Sequence, residues 1–300
     1  MVPEQWCVIA GTLYKAMKLK PSILEEYAKT SGQAVSTTAD GSVYVSDDDT
    51  LILEDEQGRV QLTGASDKLN VAKLVSGVVV AVLGREVAGG KFEVHALWTP
   101  EMAPQKPLPA SMAEARAPAY MLVVSGLSLG QPGVDPTPVQ LLMDYATGML
   151  GSTAEQRASA SIVRVMIAGN AMHRYDKRKV QGAGSASANK AAARDFGRED
   201  TDHDDSVAPL RELDLLLTPL AAAVPVDIFP GESDPSNFTL PQQCFHKCLF
   251  PSASSFSTFT RTTNPCWLEV EGLQVLATAG QNVADLAKYS VAENQSEVSD

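Results

Sequence analysis

Pro225-Val-Asp-Ile-Phe-Pro-Gly-Glu-Ser-Asp-Pro-Ser-Asn-Phe-Thr-Leu-Pro-Gln-Gln243 reads as a buried strand, Val226 to Phe229, that ends in a sharp turn at Pro230-Gly231. A polar cluster follows: Glu232, Ser233 and Asp234. In an open α/β sheet, ligands are held just beyond the carboxyl ends of the strands. A carboxylate-bearing turn after an apolar strand is therefore a candidate site. Asp227, inside the strand, falls on the opposite face from Val226 and Ile228 by simple alternation.

Outward from this stretch the same pattern repeats. Met121-Leu-Val-Val124 ends in Ser125-Gly126, Ile162 to Ala168 ends in Gly169-Asn170, and Leu273 to Thr278 ends in Ala279-Gly280. Between them, Val139, Leu142, Met143, Ala146 and Leu150 fall at helical spacing. So do Leu210, Leu213, Leu217 and Leu220 within a helix expected over 206–222. Apolar strands that each stop at a glycine turn, with helices between, predict a layered α/β domain whose turns converge on one rim. Residues 173–205 interrupt the pattern with Lys177-Arg-Lys179, Gly- and Ala-rich sequence and an acidic run, and read as a disordered surface insertion.

The N-terminal third has a different rhythm. Trp6 to Tyr14 is β-rich, and Pro21 to Tyr27 carries a helix-start signal. Residues 30–49 suggest a mobile loop. Leu51-Ile-Leu53 and Arg59 to Thr63 form one hairpin, and Gly77 to Leu83 and Lys91 to Leu97 a second around Gly89-Gly90, with a short helix expected over 68–75. Three strands, a helix and two strands is the order of the OB-fold β-barrel. Five prolines between Pro100 and Pro118 then mark a stiff connection. The expected division is an OB-fold domain over 1–105, a Pro-rich linker over 106–119 and a second domain over 120–300.

Composition limits the function. Apolar residues make up 44%, enough for a packed core, while the net charge of −12 disfavours a protein that coats nucleic acid by itself. Four cysteines without repeated spacing, Cys7, Cys244, Cys248 and Cys266, argue against a disulfide framework. No secretory signal opens the chain and no apolar run approaches the length that spans a membrane.

Several segments carry a specific resemblance: Gly11 to Met17, Lys20 to Leu24, Ala103 to Pro107, Val124 to Gly130, Gln140 to Asp144, Val165 to Asn170, Pro225 to Pro235, Asn237 to Gln243 and Gly280 to Asp285. In this order they resemble the small, or B, subunit family of eukaryotic replicative DNA polymerases, the delta branch in particular. The resemblance implies an OB fold followed by a calcineurin-like phosphoesterase α/β sandwich. It also implies C-terminal truncation, since the family's sequences continue beyond this chain's polar acidic end. Active phosphoesterases of that fold carry Asp-x-His, Gly-Asp, Gly-Asn-His and a later His at their strand ends, holding two metals ~3.5–4 Å apart. At the matching turns this sequence has Gly126 and Ser128, then Asn170, then Glu232, Ser233 and Asp234, then Ala279. Glycine, serine and alanine do not hold a transition-metal pair. The four histidines, His95, His173, His203 and His246, are expected away from the strand ends. The resemblance thus implies no catalysis, no metal and no cofactor.

Smaller features stay open. Cys244-Phe-His-Lys-Cys248 offers three potential ligands where a closed zinc site needs four, and reads as half-buried structural residues. Trp6, Tyr14, Phe92 and Trp98, with Lys15, Lys18 and Lys20 nearby, suit either base stacking or a barrel core with protein contacts, and the acidic balance favours the latter. By resemblance, the chain is expected to be a nuclear scaffold subunit of the polymerase delta complex in replication and repair. It would bind the cysteine-rich C-terminal domain of the catalytic subunit and a third accessory subunit, and reach DNA only through the complex. Phe238 to Leu240 and Phe245 to Phe250 are the candidate docking residues. Two other readings are a divergent phosphoesterase or nuclease using Asn170, Glu232 and Asp234, and an independent single-stranded-DNA-binding module within residues 1–105.

Overall fold

The computed structural model describes residues 5–22, 43–104, 107, 118–173 and 199–291, with backbone alone over 199–206. The chain divides into two compact units: Met1–Lys106 with Asn282–Asp300, and Pro107–Gln281.

In the first unit, strands β1 (Cys7–Ala16), β2 (Thr50–Glu54), β3 (Arg59–Thr63), β4 (Val79–Val87) and β5 (Lys91–Trp98) close into a barrel in the order β1-β2-β3-β5-β4. Only the β3–β5 pair is parallel. Alternation sends Leu13, Leu51, Leu53, Leu62, Val80, Val82, Phe92 and Val94 into one core. The β4–β5 register shifts at a bulge between Leu83 and Gly84. A Cβ on Gly84 would stand 2.7 Å from the Phe92 ring and closer still to the Glu93 carbonyl, so only glycine lets the fully buried Phe92 fill the centre.

Three expectations change here. Residues 68–75 make two successive turns instead of a helix, with Asn70 Oδ1 accepting the Lys73 N–H at 3.3 Å in the way that asparagine competes with helix. Tyr44 and Asp49, within the stretch expected to be a mobile loop, are buried. Residues 282–291 cluster with the barrel, not with the second unit. Tyr44 N–H donates to the Lys288 carbonyl at 2.7 Å and Val291 N–H to the Ala72 carbonyl at 3.0 Å. Lys15 Nζ donates to the Tyr289 carbonyl at 2.9 Å and lies 3.9 Å from Asp49. Burial pushes the Lys15 ammonium below its ordinary value, and the Asp49 charge opposes that. The helix expected over 21–27 and the rest of the loop over 30–42 fall almost entirely outside the described residues.

The second unit is built on a parallel sheet, β6 (Tyr120–Val124), β7 (Ile162–Ala168), β8 (Val226–Phe229) and β9 (Phe259–Arg261), in that order. Helices α1 (Thr137–Ala146), α2 (Thr153–Ser159) and α3 (Glu199–Ala223) supply the crossovers that parallel strands require. Ser152 starts α2 with a reciprocal cap, its N–H donating to Glu155 Oε2 at 2.6 Å. Val165, Ile167, Val226 and Ile228 pack on Met143, Leu213, Leu217 and Leu220 of the helices. On the other face, Met166, Ala168 and Phe229 pack on Cys266 and Ala277 of a hairpin, β10 (Cys266–Val270) and β11 (Leu273–Ala277). Asp227 also faces that side, where it is fully buried and takes a bidentate contact from Arg164, with Nη2 to Oδ1 at 3.0 Å.

The run Leu273 to Thr278 is thus not the fourth strand of the parallel sheet. Glu271 and Gly272, both at positive φ, turn it back on β10, and the short β9 takes the sheet position. The insertion expected over 173–205 lies mostly outside the described residues, but 199–205 already belong to α3.

Candidate functional site

The turns after β6, β7 and β8 meet at a cleft of about 310 Å³ lined by Gly126, Ser128, Asn170, Met172, His173, Glu232 and Ser233. Backbone bonds zip the first two turns together: Gly126 N–H to the Gly169 carbonyl at 3.2 Å, Ser128 N–H to Asn170 at 3.2 Å and Leu129 N–H to Ala171 at 3.0 Å. Ser128 and Asn170 adopt the left-handed conformation, φ 49° and 54°. Asparagine accepts that geometry more readily than most residues.

Asn170 then spends its side chain on the third turn. Its Oδ1 accepts the Ser233 backbone N–H at 3.2 Å, and the Ser233 hydroxyl lies 3.1 Å away while donating to the Met172 carbonyl at 2.6 Å. Asp234 does not line the cleft. It is buried and clamps the same turns from inside, Oδ1 accepting the Met172 N–H at 2.9 Å and Oδ2 the Gly231 N–H at 2.8 Å. Burial pushes its carboxyl up, and the backbone N–H groups oppose the shift. The turns pack too closely for larger residues. A Cβ on Gly169 would meet Ala279 Cβ at 2.6 Å, and one on Gly231 would meet Asn170 Oδ1 at 2.5 Å.

The seven positions singled out in the sequence, Gly126, Ser128, Asn170, Glu232, Ser233, Asp234 and Ala279, do come to one rim, five of them in the cleft wall. His173, expected away from it, lies in that wall as well. A parallel bridge between Leu129 and Met172, with His173 N–H donating to the Leu129 carbonyl at 2.9 Å, carries the chain back across the rim.

These residues do not fit a binuclear metal centre. Both Asp234 oxygens and Asn170 Oδ1 already accept N–H groups, and Ser128, Gly126 and Ala279 offer no strong ligand. Glu232 and His173 are what remains, and among the described residues no three His, Cys, Asp or Glu side chains converge on one point.

A second polar cluster frames the rim and had no signal in the sequence. Asn264 Nδ2 donates to Gln242 Oε1 and to Gln281 Oε1, each at 2.9 Å, and Gln281 Nε2 donates to Gln242 Oε1 at 3.0 Å. Gln242 Nε2 reaches the Gly231 carbonyl at 3.0 Å and Asn264 Oδ1 accepts the Ala279 N–H at 3.2 Å. Buried amides stay only when bonded, and this triad ties the β8 and β11 turns together.

The remaining candidates separate. Phe238 and Leu240 are exposed, whereas Phe245 and Phe250 are core residues stacked edge to face at 5.5 Å and have no surface to offer a partner. Cys244 and Cys248 are exposed, not half-buried. In the barrel, Phe92 and Lys15 are buried and Lys18 is paired with Asp48 at 2.6 Å. Trp6, Tyr14 and Trp98 are exposed, with Arg85 over the Trp6 ring and Arg59 over Tyr14. No described helix is long and apolar enough to cross a membrane.

Residues 1–97 match the family model of the DNA polymerase delta subunit OB-fold domain, and residues 121–300 match that of the DNA polymerase alpha/epsilon B subunit. The chain is 42% identical over 291 residues to the DNA polymerase delta small subunit of Oryza sativa subsp. japonica, covering 97% of this chain and 62% of that protein. It is 40% identical over 289 residues to the small subunit of Arabidopsis thaliana, with 96% and 61% covered. For the small subunit of Saccharomyces cerevisiae the identity is 31% over 297 residues, with 96% and 55% covered. The chain therefore spans less than two thirds of the length of these relatives.

Proposed function

The chain belongs to the DNA polymerase alpha/epsilon B-subunit family, and on that premise we propose that it is a non-catalytic scaffold subunit of a DNA polymerase delta complex, acting in the nucleus in replication and repair. The observation that carries this reading is the rim of the second unit. Its strand ends converge as the proposed calcineurin-like phosphoesterase layout requires, and its polar groups are bonded to one another. Asn170 holds Ser233, Asp234 holds the Met172 and Gly231 amides, and the glycines leave no space between turns. A site whose ligands are consumed in joining loops is a rigid surface, and rigid surfaces suit permanent subunit contacts.

In this reading the second unit, a calcineurin-like sandwich without catalysis, docks the cysteine-rich C-terminal domain of the catalytic subunit. The barrel side holds a third subunit. DNA is reached through the complex, in keeping with the net charge of −12. Phe238 and Leu240, exposed next to the rim, are the apolar residues offered to a partner.

The test is a pull-down of this chain with the catalytic subunit's C-terminal region. Retention that survives moderate salt and weakens with Phe238→Ser supports the proposal. No retention under any condition that leaves the chain folded overturns it.

A further inference from the structure

We propose that Cys248 is a nucleophilic thiol with His246 as its base, a site for covalent oxidation by peroxides on the surface of the second unit. Both side chains are exposed, and His246 Nδ1 lies 2.9 Å from Cys248 Sγ. The same nitrogen accepts the Cys248 backbone N–H at 3.3 Å. A ring nitrogen that accepts an amide proton carries none of its own, so in the neutral imidazole Nδ1 presents its lone pair and Nε2 holds the hydrogen. In that tautomer the proton between Nδ1 and Sγ is the thiol's, and the thiol shares the one Nδ1 lone pair with the amide N–H. The contact is an S–H···N bond along which the proton can pass to the ring.

The pair is held in place by its neighbours. Phe245 and Phe250, on either side, are fixed in the helix-side core. Leu249 N–H donates to the His246 carbonyl at 3.0 Å, and Arg261 Nη1 to the Phe245 carbonyl at 2.8 Å. The segment between the two anchors therefore presents His246 and Cys248 in one arrangement. Cys244, four positions earlier, is also exposed and supplies a reference in the same chain.

The chemistry balances with a peroxide as the oxidant. The thiol proton moves to Nδ1, and the sulfur attacks one peroxide oxygen. An S–O bond forms as the O–O bond breaks. For hydrogen peroxide, the departing hydroxide takes the proton from the imidazolium and leaves as water. Sulfur is oxidised to a sulfenic acid, which thiols can reduce.

The experiment exposes the purified, folded chain to limiting hydrogen peroxide with a sulfenic-acid trap, and in parallel to iodoacetamide. Peptide mass spectrometry reads the rate at each cysteine. Cys248 is expected to react roughly tenfold faster than Cys244, with the ratio falling to about one in His246→Gln. Buried Cys266 monitors folding, since it labels only if the chain opens. If His246→Gln opens the chain, the ratio in the unaltered protein decides. Equal rates at Cys248 and Cys244 in the unaltered protein overturn the proposal, as does a ratio that His246→Gln leaves unchanged in a folded chain.

Discussion

Asn170 and Ser233 meet where the turns after β7 and β8 come together, with Asn170 Oδ1 accepting the Ser233 backbone N–H at 3.2 Å. The contact joins the second and third turns of the rim. Asn170→Ala removes the acceptor and leaves a side chain at φ 54° that alanine disfavours. The expected loss is about 1–3 kcal/mol of stability in thermal or urea unfolding. Asn170→Gly, which relieves the backbone, should lose less.

Gly231→Ala tests the closeness of the turns. The new Cβ would sit 2.5 Å from Asn170 Oδ1, an atom tied to the Ser233 N–H, and 2.6 Å from the Asn170 backbone nitrogen, which cannot swing away. A loss of about 2 kcal/mol or more is expected. An unfolding midpoint equal to that of the unaltered chain would show that the turns have room for a Cβ there.

The barrel supplies a pH prediction. Burial places the Lys15 ammonium below its ordinary 10.5. Between the folded value and 10.5 the unfolded chain binds more protons than the folded one, so stability rises with pH through that window. The contribution is fully present above 10.5 and is lost as pH falls through the folded value. Lys15→Met should flatten this rise. Urea titrations of both chains as pH approaches 10.5 from neutrality would show equal slopes if Lys15 had no part in it.

The amide triad, with Gln242 and Asn264 buried and Gln281 half-buried, should behave as a unit. Asn264→Ala leaves Gln242, Gln281 and the Ala279 N–H short of partners. A loss of about 2–3 kcal/mol is expected. Once Asn264 is gone, Gln281→Ala should add less than it costs alone. A double-mutant cycle with additive losses would contradict the coupling.

Much of this architecture was legible because burial follows a simple period. Leu51 and Leu53 alternate with more exposed neighbours, Val226 and Ile228 take one face of β8 and the equally buried Asp227 the other, and Leu213, Leu217 and Leu220 repeat along a helix. Strand β9 was not legible, since Phe259-Thr-Arg261 has no apolar run and is recruited by the edge of β8. Phe245 and Phe250, candidate docking residues by sequence, lie in the helix-side core, where distant packing decides. His173 and the Gln242–Asn264–Gln281 cluster depend on contacts between turns far apart in sequence, and no local pattern encodes those.

Rim polar groups are bonded to one another, and on that ground the proposed scaffold role expects no two-metal hydrolysis there. The most direct measurement is phosphodiester hydrolysis by the purified chain with manganese, beside a count of bound metal. Turnover no greater than buffer and fewer than two manganese ions per chain are expected at any concentration that leaves it soluble. Metal-dependent turnover that Asp234→Ala abolishes in a folded protein, with two ions bound, would contradict it.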